Sequence, residues 1–233
     1  MVENTNMPNQ KKDKNNFDNL LKTLENLILT GRFRPGQRLV EAELVKRLST
    51  SRYWVRDSLK ILAEKGLVKI IPYKGAIVAD LSAKEIQDIF SIRVCLERLA
   101  VHLTVERITP THLKELKQIA IRFEEAHKES DIQGMIQSNT EFHDYIFQVS
   151  DNSTLMQLIS DMRTRLHIIR YAAWSSPEVL GKIVEEHRLI LKALKNKDLE
   201  TIDPLIEKHI SYSKNYYLMQ LKTIEALIQG TAV

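Results

Sequence analysis

The stretch Ser51-Arg52-Tyr53-Trp54-Val55-Arg56-Asp57-Ser58-Leu59-Lys60-Ile61-Leu62-Ala63-Glu64-Lys65-Gly66-Leu67-Val68 reads as a helix running into a β-hairpin. Val55, Leu59 and Leu62 recur at i, i+4 and i+7, so one side of the helix faces a core. Arg52, Arg56 and Lys60 are four apart and stack on one face, with Tyr53 near the N-terminal end, where recognition helices touch base edges. Gly66 stops the helix. Leu67 to Ile71 is a short β-prone run, Pro72-Tyr73-Lys74-Gly75 a turn with a basic tip, and Ala76 to Ala79 a returning strand. Cations on both helix and hairpin give a winged helix-turn-helix signature.

Working backward, Phe17, Leu20, Leu21, Leu24, Leu27 and Ile28 form a helical stripe closed by Gly31 and Pro35-Gly36. Val40, Leu44, Val45 and Leu48 give a second helix, and Ser49-Thr50-Ser51 is the short turn before the third. In this order Gly31, Pro35-Gly36, Leu39, Glu41, Leu44, Ser51-Arg52, Val55-Arg56, Leu59, Leu62, Gly66-Leu67-Val68 and Gly75 closely resemble the N-terminal domain of the GntR family of bacterial transcription regulators. The resemblance implies DNA binding through Arg52, Tyr53, Arg56, Lys60, Lys74 and Gly75. Members of that family usually carry Thr-Pro where this chain has Tyr53-Trp54. Proline in a helix's first turn is optional, so the backbone tolerates the change and the operator is what it affects. Trp54 is expected to pack against the second helix.

At 233 residues and 43% hydrophobic content the chain is long enough for two domains. Its net charge of +4 is uneven: residues 1–80 hold fifteen Lys/Arg against nine Asp/Glu, the rest nineteen against twenty-one. A basic module (+6) joined to a mildly acidic one (−2) suits a DNA-binding head on a body that need not touch polyanions. The single cysteine, Cys95, excludes an intramolecular disulfide and fits a reducing cytoplasm; on its helix it is expected to be a small buried hydrophobe. No apolar run reaches the ~18 residues of a membrane span, and the polar start lacks a signal peptide's apolar core. Residues 1–16 are expected to be a disordered tail, 17–80 the winged helix, and 81–229 a helical effector-binding and dimerisation domain.

Low aromatic content (6%) and only thirteen Gly and Pro favour a mostly α protein. From Ser82 on, six helical stripes follow: a capping box at Ser82 and Glu85, then Ile86, Ile89, Phe90, Val94, Leu96 and Leu99; Thr111 to Glu129; Asp131, as cap, to Val149; Leu155 to Ile169; a helix opened by Ser175-Ser176-Pro177; and Asp198 to Gln229. The fold class is therefore a winged helix followed by an all-α six-helix bundle.

His143, His187 and His209 fall on three of these helices, with Asn139 one turn before His143. Facing helices of a bundle gather interior metal sites in this way, and imidazole suits Zn, Ni and related divalent ions. Asn139, Phe142-His143, Glu186-His187, His209 and the pair Arg93 and Glu97 resemble, in order, the FadR C-terminal (FCD) effector domain, and the helix count is similar to its VanR-type subgroup. That resemblance implies Asn139, His143, His187 and His209 as metal ligands and a small organic acid bound over the ion. Asn139 stands where a carboxylate is common, which weakens that ligand. Arg93, Arg163 and Arg170 are candidates to pair with the acid through guanidinium forks. His102, His112, His127 and His167 match no motif.

Together these features point to a metabolite-responsive regulator that binds a pseudo-palindromic DNA operator as a homodimer. Two alternatives stay open on sequence: a metal-dependent hydrolase, for which Glu186 is a poor general base because it points about 100° from His187, and a ligand-free dimerisation bundle.

Overall fold

The structure, a computed structural model, describes residues 7–166, 169 and 177–230. The chain divides into two compact units, Met1–Leu81 and Ser82–Val233.

In the first unit, α1 (Met7–Leu29), α2 (Glu41–Leu48) and α3 (Arg52–Glu64) surround a core to which Leu20, Leu24, Ile28, Leu44, Val55, Leu59 and Leu62 contribute. The i, i+4, i+7 stripe of α3 is thus its buried face. Ser51 caps α3, its hydroxyl accepting from Trp54 N–H at 3.2 Å. Gly66, at φ +74°, ends it in the left-handed region that side chains avoid. Strands β2 (Val68–Ile71) and β3 (Gly75–Val78) form the expected wing, Val68 opposite Val78 and Ile71 opposite Gly75.

Two features depart from expectation here, and a third adds to it. Residues 7–16, expected as a disordered tail, continue α1, because a stripe already packed from Phe17 onward nucleates a helix that Lys and Gln propagate at little cost. A third strand, β1 (Arg38–Leu39), pairs with β3 through Arg38–Ile77 and Leu39–Ala76, giving the order β1-β3-β2. Trp54 meets Phe17 of α1 edge-to-face, with ring centroids 6.4 Å apart.

The second unit consists, among the described residues, of six helices: α4 (Ala83–Arg107), α5 (Pro110–Lys128), α6 (Ile132–Val149), α7 (Ser153–Arg165), α8 (Pro177–Asn196) and α9 (Leu199–Gly230). The capping box of α4 forms as expected, Ser82 and Glu85 each accepting the other's backbone N–H. At α5, His112 fills the glutamate's role, its Nδ1 accepting from Thr109 N–H at 3.3 Å. Asp131 occupies the N-cap position of α6 but makes no capping bond with its side chain. Pro204 is the sixth residue of α9, past the first turn. Around Phe90, Phe123, Phe142, Ile146, Ile159, Ile190 and Ile206 the helices close on an apolar interior. Cys95 is exposed rather than buried, because α4 is apolar on two faces: Ile86, Ile89 and Phe90 turn inward, whereas Ile92, Cys95 and Leu99 share the outer face. No helix of the described residues is long and apolar enough to cross a membrane.

Candidate functional site

The recognition face of α3 is open. Arg52 and Arg56 are about two-thirds exposed, Lys60 is exposed beside them on the next turn, and Tyr53 projects from the first turn. Both guanidiniums lean toward one carboxylate, Glu41 at the start of α2, with Nε to oxygen separations of 3.8 Å from Arg52 and 3.4 Å from Arg56. Such loose, wet pairs are worth little and exchange readily for phosphate or a base edge. At the wing tip Lys74 and Gly75 are exposed, Gly75 at φ +85°. Tyr73, which sequence reasoning left without a role, stands fully exposed there in the left-handed region at φ +62°.

The bundle holds the opposite kind of site. His143 on α6, His187 on α8 and His209 on α9 are all buried, and one ring nitrogen from each lies within 4.8 Å of the others. His143 Nε2 and His209 Nε2 are 3.0 Å apart, so both can reach one ion at the ~2.0–2.1 Å of a metal–imidazole bond. His209 Nδ1 is 2.8 Å from a Glu186 carboxylate oxygen. That contact fixes the Nδ1–H tautomer and leaves the Nε2 lone pair facing His143. His187 is clamped between rings, stacked on Phe142 at 4.2 Å and edge-on to Phe123 at 5.0 Å. Neither of its nitrogens has a hydrogen-bond partner among the described residues, although both are buried. Desolvation, reinforced by His209, holds the pKa of His143 and His187 well below the ordinary imidazole value of 6.5. Neutral rings are what a metal requires. Three buried imidazoles, one of them with two orphaned nitrogens, fit a borderline divalent ion.

Against His143 and His209 lies a small, partly enclosed cavity of about 50 Å³, lined also by Asn139, Arg93 and Arg163. Arg93 pairs with buried Glu97, one turn on along α4. Arg163 is buried on α7, donates from Nη1 to Asp144 Oδ1 at 2.6 Å and lies over the Phe147 ring. Burial pulls the Arg163 pKa down, while Glu97 and Asp144 oppose it. Arg170 lies outside the described residues, as does His167. His102 pairs with Asp203 across α4 and α9, Nε2 to Oδ1 at 2.6 Å.

Glu186 and Asp144 are the two site residues that sequence reasoning missed as contributors. Glu186 was legible in part, since the Glu186-His187 pair belongs to the stretch that resembles the FCD domain, but nothing in the sequence tied it to His209. Asp144 is more than half exposed and carried no signal.

A basic winged helix joined to a helical bundle that gathers three buried histidines has the make-up of a DNA-binding regulator, and comparison with known families agrees. Residues 18–78 match the family described as bacterial regulatory proteins, gntR family, and residues 88–212 match the FCD domain. The chain belongs to the GntR family of transcription regulators and carries an FCD effector-binding domain. It is 30% identical over 181 residues to the HTH-type transcriptional regulator McbR of Escherichia coli, covering 76% of this chain and 81% of that protein. To the uncharacterized HTH-type transcriptional regulator YdhC of Bacillus subtilis it is 28% identical over 190 residues, covering 81% and 85%. The solved structure of E. coli McbR/YncC superposes with a TM-score of 0.75 at 25% identity, over 88% of this chain and 98% of that one. The chain is thus a regulator and not an enzyme, which removes the hydrolase alternative. Glu186 agrees physically, being held by His209 rather than free to act as a base.

Proposed function

We propose that this regulator binds a pseudo-palindromic double-stranded operator as a cytoplasmic homodimer, and that a small organic acid bound over a divalent metal ion in the bundle controls that binding. In this reading α3 enters the major groove with Arg52, Tyr53, Arg56 and Lys60, while Lys74 and Gly75 of the wing meet the backbone. One winged helix reads one half-site, so two copies are needed. The exposed apolar stripe of Ile92, Cys95 and Leu99 on α4 offers a face for the second copy.

His187 carries the metal half of the proposal: two buried imidazole nitrogens without hydrogen-bond partners among the described residues are costly unless something meets them. His143, His187 and His209 would hold the ion, a Zn- or Ni-like cation, with the Asn139 amide oxygen as a weaker fourth donor. When bound, the ion offers open positions to a ligand carboxylate. Glu186 holds His209 in the required tautomer, and Arg93 and Arg163 present cationic donors to the acid from the cavity wall. A ligand shifts the equilibrium only by binding one arrangement of the heads better than another. Ala79 to Ala83, joining the winged helix to α4, is the hinge through which that preference acts.

Elemental analysis of the purified full-length protein tests this reading. About one divalent ion per chain, lost in His143→Ala, is expected. No ion in either form removes the metal from this reading, and the ligand-free dimerisation bundle then gains ground.

A further inference from the structure

The cavity beside the histidines is too small for the ligand assigned to it. About 50 Å³ holds a water or two, whereas pockets for organic ligands run to roughly 300–1,000 Å³. A second pocket, of about 300 Å³, opens between α6 and α7. Phe147 and Met156 give it an apolar wall, and Ser153, Gln157 and Ser160 supply hydrogen-bonding groups. Asp144 is the carboxylate in its lining. The two spaces share one lining residue among the described residues, Arg163. Its guanidinium is buried, whereas its partner Asp144 is 58% exposed at the outer rim.

We propose that the α6–α7 pocket is the outer compartment of the effector site, and that a small carboxylate enters by taking Arg163 from Asp144. The inference rests on the effector reading above and specifies its ligand. Arg163 cannot leave Asp144 for nothing, since an unpaired buried guanidinium is costly; another carboxylate is an equivalent partner. The residues around it fit a monocarboxylate with a compact body, apolar on one side and hydrogen-bonding on the other. A second anionic group would meet Asp144 and be repelled. Arg163 released toward the incoming acid would unite the two spaces and put the acid's head beside the histidines. Because α7 packs on α4, which begins directly after the hinge, filling this pocket acts on the helix that leads to the head.

The test uses full-length protein in which Cys95→Ala removes the native thiol and Ser160→Cys places one in the pocket. Alkylation by iodoacetate, which carries a carboxylate, is compared with alkylation by neutral iodoacetamide, each relative to free cysteine. The normalised iodoacetate preference should exceed one, rise about tenfold on adding Asp144→Asn, which frees Arg163 without changing shape, and fall to the free-cysteine value on adding Arg163→Gln. Arg163→Lys should keep part of it, which separates charge from packing. A preference that stays at the free-cysteine value with Asp144→Asn, or that survives Arg163→Gln, overturns the inference. Metal content and DNA binding are read on the same proteins: an intact ion and intact operator binding with no labelling preference removes the outer compartment alone, whereas labelling as expected without any ion removes the metal reading and leaves the compartment.

Discussion

Arginine does opposite work in the two halves of this chain. Arg52 and Arg56 stand in solvent and share one carboxylate, Glu41, at 3.4–3.8 Å. Arg93 and Arg163 are buried or nearly so, and each has a carboxylate of its own, Glu97 and Asp144. In water a loose pair contributes little, so the head's cations are available to any phosphate that arrives. Inside the bundle each charge must stay compensated, and a cation there can change partner only for another anion. The same side chain is therefore free for any polyanion in one place and, in the proposed reading, selective for a carboxylate in the other.

The largest effect should come from the exposed pair. Arg52→Ala with Arg56→Ala should weaken operator binding in a gel shift by a hundredfold or more, since each lost base-edge contact is worth about 1–3 kcal/mol. Melting temperature and metal content should stay unchanged, because neither side chain is packed; a large loss of stability would erase the distinction between the two settings. Conversely, Glu97→Ala should destabilise the bundle by about 3 kcal/mol in urea unfolding, as it strands the Arg93 charge beside a buried site. The matching surface change, Glu41→Ala, should cost well under 1 kcal/mol.

Acid should also separate the halves. In chelator-treated protein the unfolded chain takes up protons on His143 and His187 near pH 6.5, while the folded forms resist until lower pH. Stability is therefore complete above 6.5 and falls as pH drops through the window toward the depressed folded values. The slope should approach about 1.4 kcal/mol per pH unit for each histidine, and His187→Phe should reduce it. A slope unaffected by that change would mean the ring is not held neutral. Smallest of all, Ser51→Ala should cost about 1 kcal/mol through the lost cap of α3 and leave the bundle untouched, as measured by local hydrogen exchange.

Much of this was legible before any coordinates. Val55, Leu59 and Leu62 fixed the inner face of α3, which left Arg52, Arg56 and Lys60 outside, because a helix's period dictates both faces at once. His143, His187 and His209 could be grouped because they fall on three helices of one bundle and because the residues around them resemble the FCD domain, whereas periodicity alone was a weak guide. Cys95 misled for the same reason: periodicity marks apolar faces without saying which of two will be covered. Strand β1, two residues long, has no pattern to detect until β3 is there to pair with it.

The amino-acid order by itself determined the succession of elements, the basic head and the acidic bundle, since these follow from local periodicity, caps and charge counts, while the three imidazoles were marked by their resemblance to the FCD motif. Only the tertiary structure decided that Glu186 orients His209, that His187 finds no hydrogen-bond partner among the described residues, and that Arg163 stands between two cavities with Asp144 as its counter-ion. Those relations join side chains on different helices, and the rotation and depth at which helices pack are set by the whole core rather than by any one stretch of chain.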